Sequence, residues 1–405
     1  MHHRFALRSV FFALLVGLVL AACVPAPTPV PTFVPAPSPP TAIAAPAPSA
    51  TVAIPTATVV PSPEPTTIPL PTAAPTKVVL RSPYEGPLDL VAAELPLGDC
   101  EQRSPLELPS QGVVALSFAA TGVCGNGEIG LLEPGGRQHV ALAGLGSAAF
   151  VLFDVEDPTA PQRVGAWKWR QPAVTYDLKP FRQGQRWYLA LAMENYRQPF
   201  LDPCGIAIVE ITNPATPVLL GRYDGVAVGS SAAWCNVHTV QIDTDAQGNG
   251  TFLMASARDT FDLRVLDIRD LNAVREAGVY HLHDHPHGGF PNFEGSYVHD
   301  STIVGDRVYV AYWGAGAMIL DKRKLEAGAP AEQVALNPPR SIAPADFNVH
   351  HSYPTADGNF LFVEAEEQVE NGIRLFDIRN PAQPREVLAF DIGEPRAAPH
   401  NLLMR

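Results

Sequence analysis

Four histidines recur in one local setting. NVHTV places His238, YVHDS places His299, NVHHS places His350 and APHNL places His400, at intervals of 61, 51 and 50 residues. VTYD sets Tyr176 at the matching place one step earlier. Neutral imidazole is a good ligand for Fe, Cu, Zn or Ni. A period that brought these rings to one point would therefore build a transition-metal site. Asp300 and Glu364 are the carboxylates expected behind the rings, with Glu366 and Glu367 also near in sequence. The competing reading of the same period is structural: each histidine hydrogen-bonds a neighbouring repeat. A second cluster, His281-Leu-His283-Asp-His285-Pro-His287, puts imidazoles at alternate positions with Asp284 among them. Pro286 and the glycines that follow make it a loop, and His283, His285 and His287 form a candidate loop metal site.

Other chemistries find little support. There is no G-x-S-x-G elbow, phosphate loop, dinucleotide fingerprint or H-E-x-x-H, so no catalytic residue is assigned. The tryptophans at 167, 169, 187, 234 and 313 read as packing residues. Of five cysteines, Cys23 stands apart, leaving Cys100, Cys124, Cys204 and Cys235. No spacing among them suits zinc or redox work. An even number in an exported chain favours disulfides, and sequence order suggests Cys100–Cys124 and Cys204–Cys235, although four cysteines allow three pairings.

The elements that must position the histidines show as a repeat. AAFVLFDVEDPTAPQRVGAW begins at Ala148 and returns as GIAIVEITNPATPVLLGRY from Gly205, DLRVLDIRDLNAVREAGVY from Asp262, AGAMILDKRKL from Ala315 and GIRLFDIRNPAQPREVLAF from Gly372. The acidic residue that closes each apolar run is Asp154, Glu210, Asp267, Asp321 and Asp377, spaced by 56, 57, 54 and 56 residues. The runs are β-branched or alternating and are bounded by Gly, Pro and Asn, which predicts strands and turns rather than helices. Strands such as WYLALA, RVYVAYW and NFLFVEA precede them, so each unit holds about four strands. Repeated four-stranded units of this length predict an all-β fold, a β-propeller of about five to six blades. Each histidine would then open the innermost strand of a blade and face the axis.

The unit "apolar–Asp–apolar–x–x–Pro–x–x–Pro–apolar–apolar–Gly" resembles the LVIVD repeat. YVHDSTI from Tyr297, VHHSYPTADGNFLFVEAEE from Val349, PHNLLMR from Pro399 and GRQHVALAGLGSAAFVLFDVEDP from Gly136 carry a closer likeness to the choice-of-anchor B family. These are extracytoplasmic LVIVD propellers held by different surface anchors. The likeness spans roughly residues 125 to 405, with one departure: Pro399 stands where the family has an acidic residue before its His-Asn pair. It implies a propeller and a location outside the cytoplasm, and it implies no particular chemistry. Pro399–Arg405 looks like the first strand of a further unit. Either the reading frame is cut short, or strands at Lys77–Leu80 and Gly112–Phe118 complete the ring.

Location is also written at the N-terminus. Arg4 and Arg8 precede an apolar run from Val10 to Leu20, and Leu-Ala-Ala-Cys23 follows, which resembles the bacterial lipobox. Residues 1–22 thus read as a lipoprotein signal peptide, with Cys23 as the lipidated residue and the membrane as a partner through that anchor. Residues 24–76 contain 17 prolines and a single charge, Glu64. Residues 23–77 therefore form a semi-rigid spacer that reaches roughly 160 Å at about 3.1 Å per residue. The propeller domain is expected over 78–405. A net charge of −13 argues against nucleic acid as a partner. The sequence leads to a membrane-anchored extracytoplasmic propeller that binds an unknown protein or small-molecule ligand. The alternative is a metal-dependent enzyme, an oxidoreductase or hydrolase, that uses the axial histidines with Fe, Cu or Zn.

Overall fold

The computed structural model describes residues 88–94, 128–144, 148–171, 173–195, 203–282, 296–344, 348–366, 372–390 and 400–401. All of them belong to one compact unit. Cys23 and the tether, Cys100 and Cys124, the 283–287 histidines, Glu367 and the strands expected at 77–80 and 112–118 lie outside the described residues.

The described residues form five antiparallel sheets. The first contains β1 (Leu90–Ala92), β2 (Ile129–Leu132), β3 (His139–Ala143), β4 (Phe150–Asp154) and β5 (Gln162–Trp169), in the order β2-β3-β4-β5-β1. The second runs β6 (Val174–Gln183), β7 (Arg186–Glu194), β8 (Gly205–Glu210), β9 (Val218–Tyr223). The third runs β10 (Val237–Thr244), β11 (Gly250–Ala257), β12 (Asp262–Asp267), β13 (Arg275–His281). The fourth has three strands, β14 (Asp300–Val304), β15 (Arg307–Ala311) and β16 (Ala317–Asp321). The fifth runs β17 (His351–Pro354), β18 (Phe360–Glu364), β19 (Ile373–Asp377), β20 (Arg385–Phe390). The protein is an all-β propeller, and each sheet is a blade.

The repeat dictates the blade locally. The apolar runs become the third strands, which carry side chains into the core on both faces: Phe150, Val151 and Leu152, or Ile206, Ala207 and Ile208, are essentially unexposed. The turn after each has one chemistry. Asp157, Asn213 and Asp270 accept the backbone N–H two residues on through a side-chain oxygen. Their carbonyls, like that of Asn380, accept the N–H three residues on. Proline at the second turn position in three of these four turns presets φ. A register shift recurs between third and fourth strands in all four four-membered repeats. The fourth blade departs from the expected four strands. Lys322–Glu326 has no proline or glycine, and Asp321 accepts the Lys324 N–H, so a short helix α1 (Lys322–Glu326) forms instead. Together with α2 (Ala331–Val334) it takes the place of a fourth strand, with Leu325 and Val334 buried.

Apolar clusters lie between consecutive blades. Leu152 and Trp167 meet Leu189 and Leu191, and Phe181 and Ala190 meet Val240 and Leu253. Leu263 and Val265 meet Val308 and Val310, and Tyr309 and Ile319 meet Leu361 and Val363. The innermost strands are thereby held side by side, which is what brings their first residues together.

Candidate axial metal centre

Each innermost strand begins with a pair of residues: Tyr176-Asp177, His238-Thr239, His299-Asp300, His350-His351, and His400-Asn401 in the C-terminal segment. Adjacent residues of a strand point to opposite sides, and the pairs separate into two layers.

The first members converge. His238 Nε2 lies 3.0 Å from His299 Nε2. The ring centroids of His299 and His350 are 4.1 Å apart, and those of His350 and His400 are 4.4 Å apart. Tyr176 closes on His238 at 5.2 Å. The structure thus brings together all four sequence-predicted axial histidines. One ligand atom each from His299, His350 and Glu366 lies within 4.8 Å of the others. Ligand atoms bound at about 2.0–2.2 Å to one tetrahedral ion lie about 3.3–3.6 Å apart, so inward shifts of up to about 0.8 Å per side chain would seat an ion. His299 Nδ1 and His350 Nδ1 are buried and make no hydrogen bond. Burial, helped by the neighbouring His238 and His350, pushes His299 far below the usual imidazole range. Partial burial and His350 lower His400 as well. Uncharged rings are the form that binds a metal.

The second members tie the blades together. Asp177 Oδ2 accepts the Val240 N–H at 2.8 Å, and Thr239 Oγ1 donates to the His299 carbonyl at 3.0 Å. His351 Nδ1 donates to Asp300 Oδ2 at 2.7 Å, and Asn401 Nδ2 donates to Glu128. Lys179 Nζ sits 2.8 Å from Asp177 and 3.9 Å from Glu128. Burial opposes both charges of the Asp300–His351 pair, yet the imidazolium holds Asp300 well below the carboxylate range and Asp300 raises His351. Here the expectation needs correcting. Asp300 does not stand behind the axial rings: as the strand neighbour of His299 it faces the other layer and bonds His351. Glu364 is nearer to its expected place, with Oε1 3.9 Å from His350 Nδ1.

The residues that do stand against the axial rings come from the second strands. Asp177 faces Ala192, Asp300 faces Ala311 and His351 faces Glu364 across the first two strands of their blades. Two residues beyond these partners are Glu194, Trp313 and Glu366, and Arg258 holds the corresponding end of β11. Glu194, wholly buried, accepts from His238 Nδ1 at 3.1 Å and lies 3.6 Å from Arg258 Nε. Glu366 Oε2 is 3.5 Å from His350 Nε2. Trp313 stacks on His299 at 5.0 Å, Tyr297 on Trp313 at 5.5 Å, and the Arg258 guanidinium lies 4.1 Å over Tyr297. Trp313 holds φ +37°, and its carbonyl accepts the N–H groups of Val349 and Gly316. The neighbouring backbone thus enforces a conformation that side chains rarely adopt. Glu194, Trp313, Arg258 and His351 were missed from sequence. His351 has a sequence signal as the neighbour of His350, whereas Glu194, Arg258 and Trp313 become equivalent only through strand register. Cys204 and Cys235 form a disulfide, and the carbonyl of Cys204 accepts from Arg222.

Residues 203–225, which form β8, its turn and β9, match the model of the LVIVD repeat. No curated protein matches the chain. Among solved structures, a protein from Lactobacillus plantarum is similar at 17% identity, covering 63% of this chain and 66% of that chain with a TM-score of 0.44. The periplasmic gluconolactonase of Pseudomonas aeruginosa is similar at 15% identity over 65% of this chain and 72% of that chain, with a TM-score of 0.43. A functionally unknown protein from Desulfotomaculum acetoxidans is similar at 11% identity over 67% and 72%, with a TM-score of 0.42.

Proposed function

We propose that this chain is an exported, envelope-anchored LVIVD propeller of the choice-of-anchor B kind that binds a divalent transition metal on its axis. The lipidated Cys23 and the proline-rich tether would hold it to the membrane. One observation carries the metal: ligand atoms of His299, His350 and Glu366 lie within 4.8 Å of one another, with His238 Nε2 3.0 Å from His299 Nε2. Charge supports the same reading. Glu194, Glu364 and Glu366 surround the rings, and Arg258 is the cation among them. Carboxylates gathered around imidazoles favour a bound cation. Imidazole with carboxylate suits Zn, Fe or Cu better than Mg or Ca.

The donor set also favours a second reading. Two histidines and one carboxylate leave coordination positions for water or substrate, as in metal hydrolases and non-haem iron enzymes. The metal would then act as a Lewis acid or redox centre. If no metal binds, a binding module without metal remains.

The test is metal uptake by the purified full chain equilibrated with Zn(II) or Co(II). One equivalent per chain is expected, together with quenching of Trp313 emission by Co(II). His299→Ala with His350→Ala should abolish uptake and leave the melt cooperative. A wild-type chain that retains no metal after desalting refutes the proposal.

A further inference from the structure

The metal reading leaves open which nitrogen of His238 faces the axis with a free lone pair. Imidazole carries one proton on either of two nitrogens, and its hydrogen-bond partners decide which. His238 Nδ1 lies 3.1 Å from Glu194 Oε1, and His238 Nε2 lies 3.0 Å from His299 Nε2. A carboxylate oxygen can only accept. The proton of a neutral His238 therefore belongs on Nδ1, and its Nε2 presents a lone pair to the axis. The proton of the 3.0 Å contact between the two rings then comes from His299 Nε2. The opposite arrangement would point a lone pair of His238 at a buried carboxylate.

We propose that Glu194 is the positioning residue of the axial metal centre: it fixes His238 as the Nδ1–H tautomer and aims the Nε2 lone pair at the metal position. The inference rests on the metal reading above. Three features of Glu194 fit such a role. It is wholly buried, so its carboxylate was taken from water for a reason. Arg258 Nε, 3.6 Å away, sits beside the same oxygen and compensates its charge. Its second oxygen is buried without a hydrogen bond, and the first lies 3.1 Å from His238 Nδ1. Glu194 also comes from a different blade than His238, since β7 and β10 belong to consecutive sheets. The interface between those blades, rather than the His238 strand itself, thereby decides the ring's state. In the metal-free chain the His299 Nε2 proton stands between the two rings. If His299 Nε2 were to serve as a metal ligand, that proton would have to move to the buried Nδ1 of the same ring. His238 needs no such change, because Glu194 has already placed its proton on the far side.

Two measurements test this. The first needs no substitution. In the full chain carrying ¹⁵N-histidine, the ring signals lost in His238→Gln are expected to show a protonated Nδ1 and an unprotonated Nε2. A His238 protonated at Nε2 in the metal-free wild type overturns the inference. The second is Co(II) binding by wild type, Glu194→Gln and Glu194→Ala. Orienting partners of metal-bound histidine typically contribute about 10–100-fold in affinity. Glu194→Ala should weaken Co(II) binding by that factor and shift the visible Co(II) bands. Glu194→Gln, whose amide oxygen still accepts from Nδ1–H, should recover most of the affinity and the wild-type spectrum. Equal affinity and identical bands in Glu194→Ala would overturn the role of Glu194 while leaving the metal reading intact. A wild type that takes up no Co(II) would remove the metal reading and this inference with it.

Discussion

Replacing Asp300 by Asn probes the layer that joins the blades without touching an axial ring. Asp300 and His351 are each less than a tenth exposed and bond at 2.7 Å across the interface between the fourth and fifth blades. Removing one partner of a buried ion pair typically costs about 3–5 kcal/mol, because the remaining charge keeps its desolvation penalty. Asn can still accept the Ser301 N–H that Asp300 Oδ1 accepts at 2.6 Å, which points to the lower figure, about 3 kcal/mol. For a large domain this lowers the melting temperature by roughly 6–12 °C, at about 2–4 °C per kcal/mol. The pH dependence has a definite sign. The raised His351 contributes stability that is full below about pH 6.5 and is lost as pH rises through its folded value. The lowered Asp300 contributes stability that is present above about pH 4 and is lost as pH falls through its folded value. The gap between wild type and Asp300→Asn should therefore be widest between those limits and narrow in alkali. Calorimetric melts of wild type, Asp300→Asn, His351→Gln and the double variant close the cycle. The double variant should lose at least about 1 kcal/mol less than the sum of the singles. Strict additivity, or a single-variant loss below about 0.5 kcal/mol, would refute the reasoning.

Two further outcomes concern the frame around the site. Glu326, partly buried, is pushed up to about 7 by burial and by the Asp243 carboxylate, against Lys322. The folded chain keeps a proton that the unfolded chain loses, so stability falls from about pH 4.5 to 7 and then levels. The loss is about 1–2 kcal/mol once solvent screening of a half-exposed group is allowed for. Glu326→Gln should flatten that segment of the stability curve, and a steeper fall in the variant would contradict it. The Cys204–Cys235 disulfide spans 31 residues. Its replacement by two alanines should cost about 3–4 kcal/mol in chemical denaturation under oxidising conditions, and an unchanged midpoint would count against it.

Much of this fold is legible in the sequence, because the LVIVD-like unit couples a buried β-branched strand to a turn with its own residues. The Asp or Asn that starts the turn and the proline after it do the same work in each copy, so period and topology follow together. The fourth unit resists the same reading, because Asp321-Lys-Arg-Lys-Leu-Glu satisfies helix rules locally and has no turn residue to stop it. The axial histidines are legible as a period. Of their carboxylate partners, Glu364 and Glu366 stand out by nearness in sequence, whereas Glu194 does not, because it lies on the second strand of a neighbouring blade and depends on register. Asp300 was assigned to the wrong layer through its nearness in sequence to His299. Strand alternation sends it instead toward His351, and the recurring pairs Tyr-Asp, His-Thr, His-Asp, His-His and His-Asn record that alternation. Glu194 and Glu366 become equivalent only when Ala192 and Glu364 are seen to face Asp177 and His351.

That equivalence bears on what the axis is built for. A cluster serving stability alone has no use for several carboxylates gathered around imidazoles. Yet Glu194 lies 3.6 Å from Arg258, while Glu364 and Glu366 lie 3.9 Å and 3.5 Å from His350. Carboxylates gathered at one site repel one another when no cation is bound, and would favour the loaded chain. Glu366→Gln separates the two effects, because the half-exposed Glu366 is 3.5 Å from His350 and takes no part in the layer that ties the blades. The metal-free melt of the variant should match or exceed that of wild type. Its Co(II) affinity should fall by about tenfold, since a neutral amide is a poor replacement for a carboxylate ligand. Ligand binding stabilises by RT ln(1 + [L]/Kd), so at a Co(II) concentration 100 times the wild-type Kd the gain is about 2.7 kcal/mol. A tenfold weaker variant gains about 1.4 kcal/mol at the same concentration. Melts with and without Co(II) therefore show the substitution as neutral or stabilising in one condition and costly in the other. A Glu366→Gln chain that loses equal stability in both would place Glu366 in the frame of the propeller rather than at a metal.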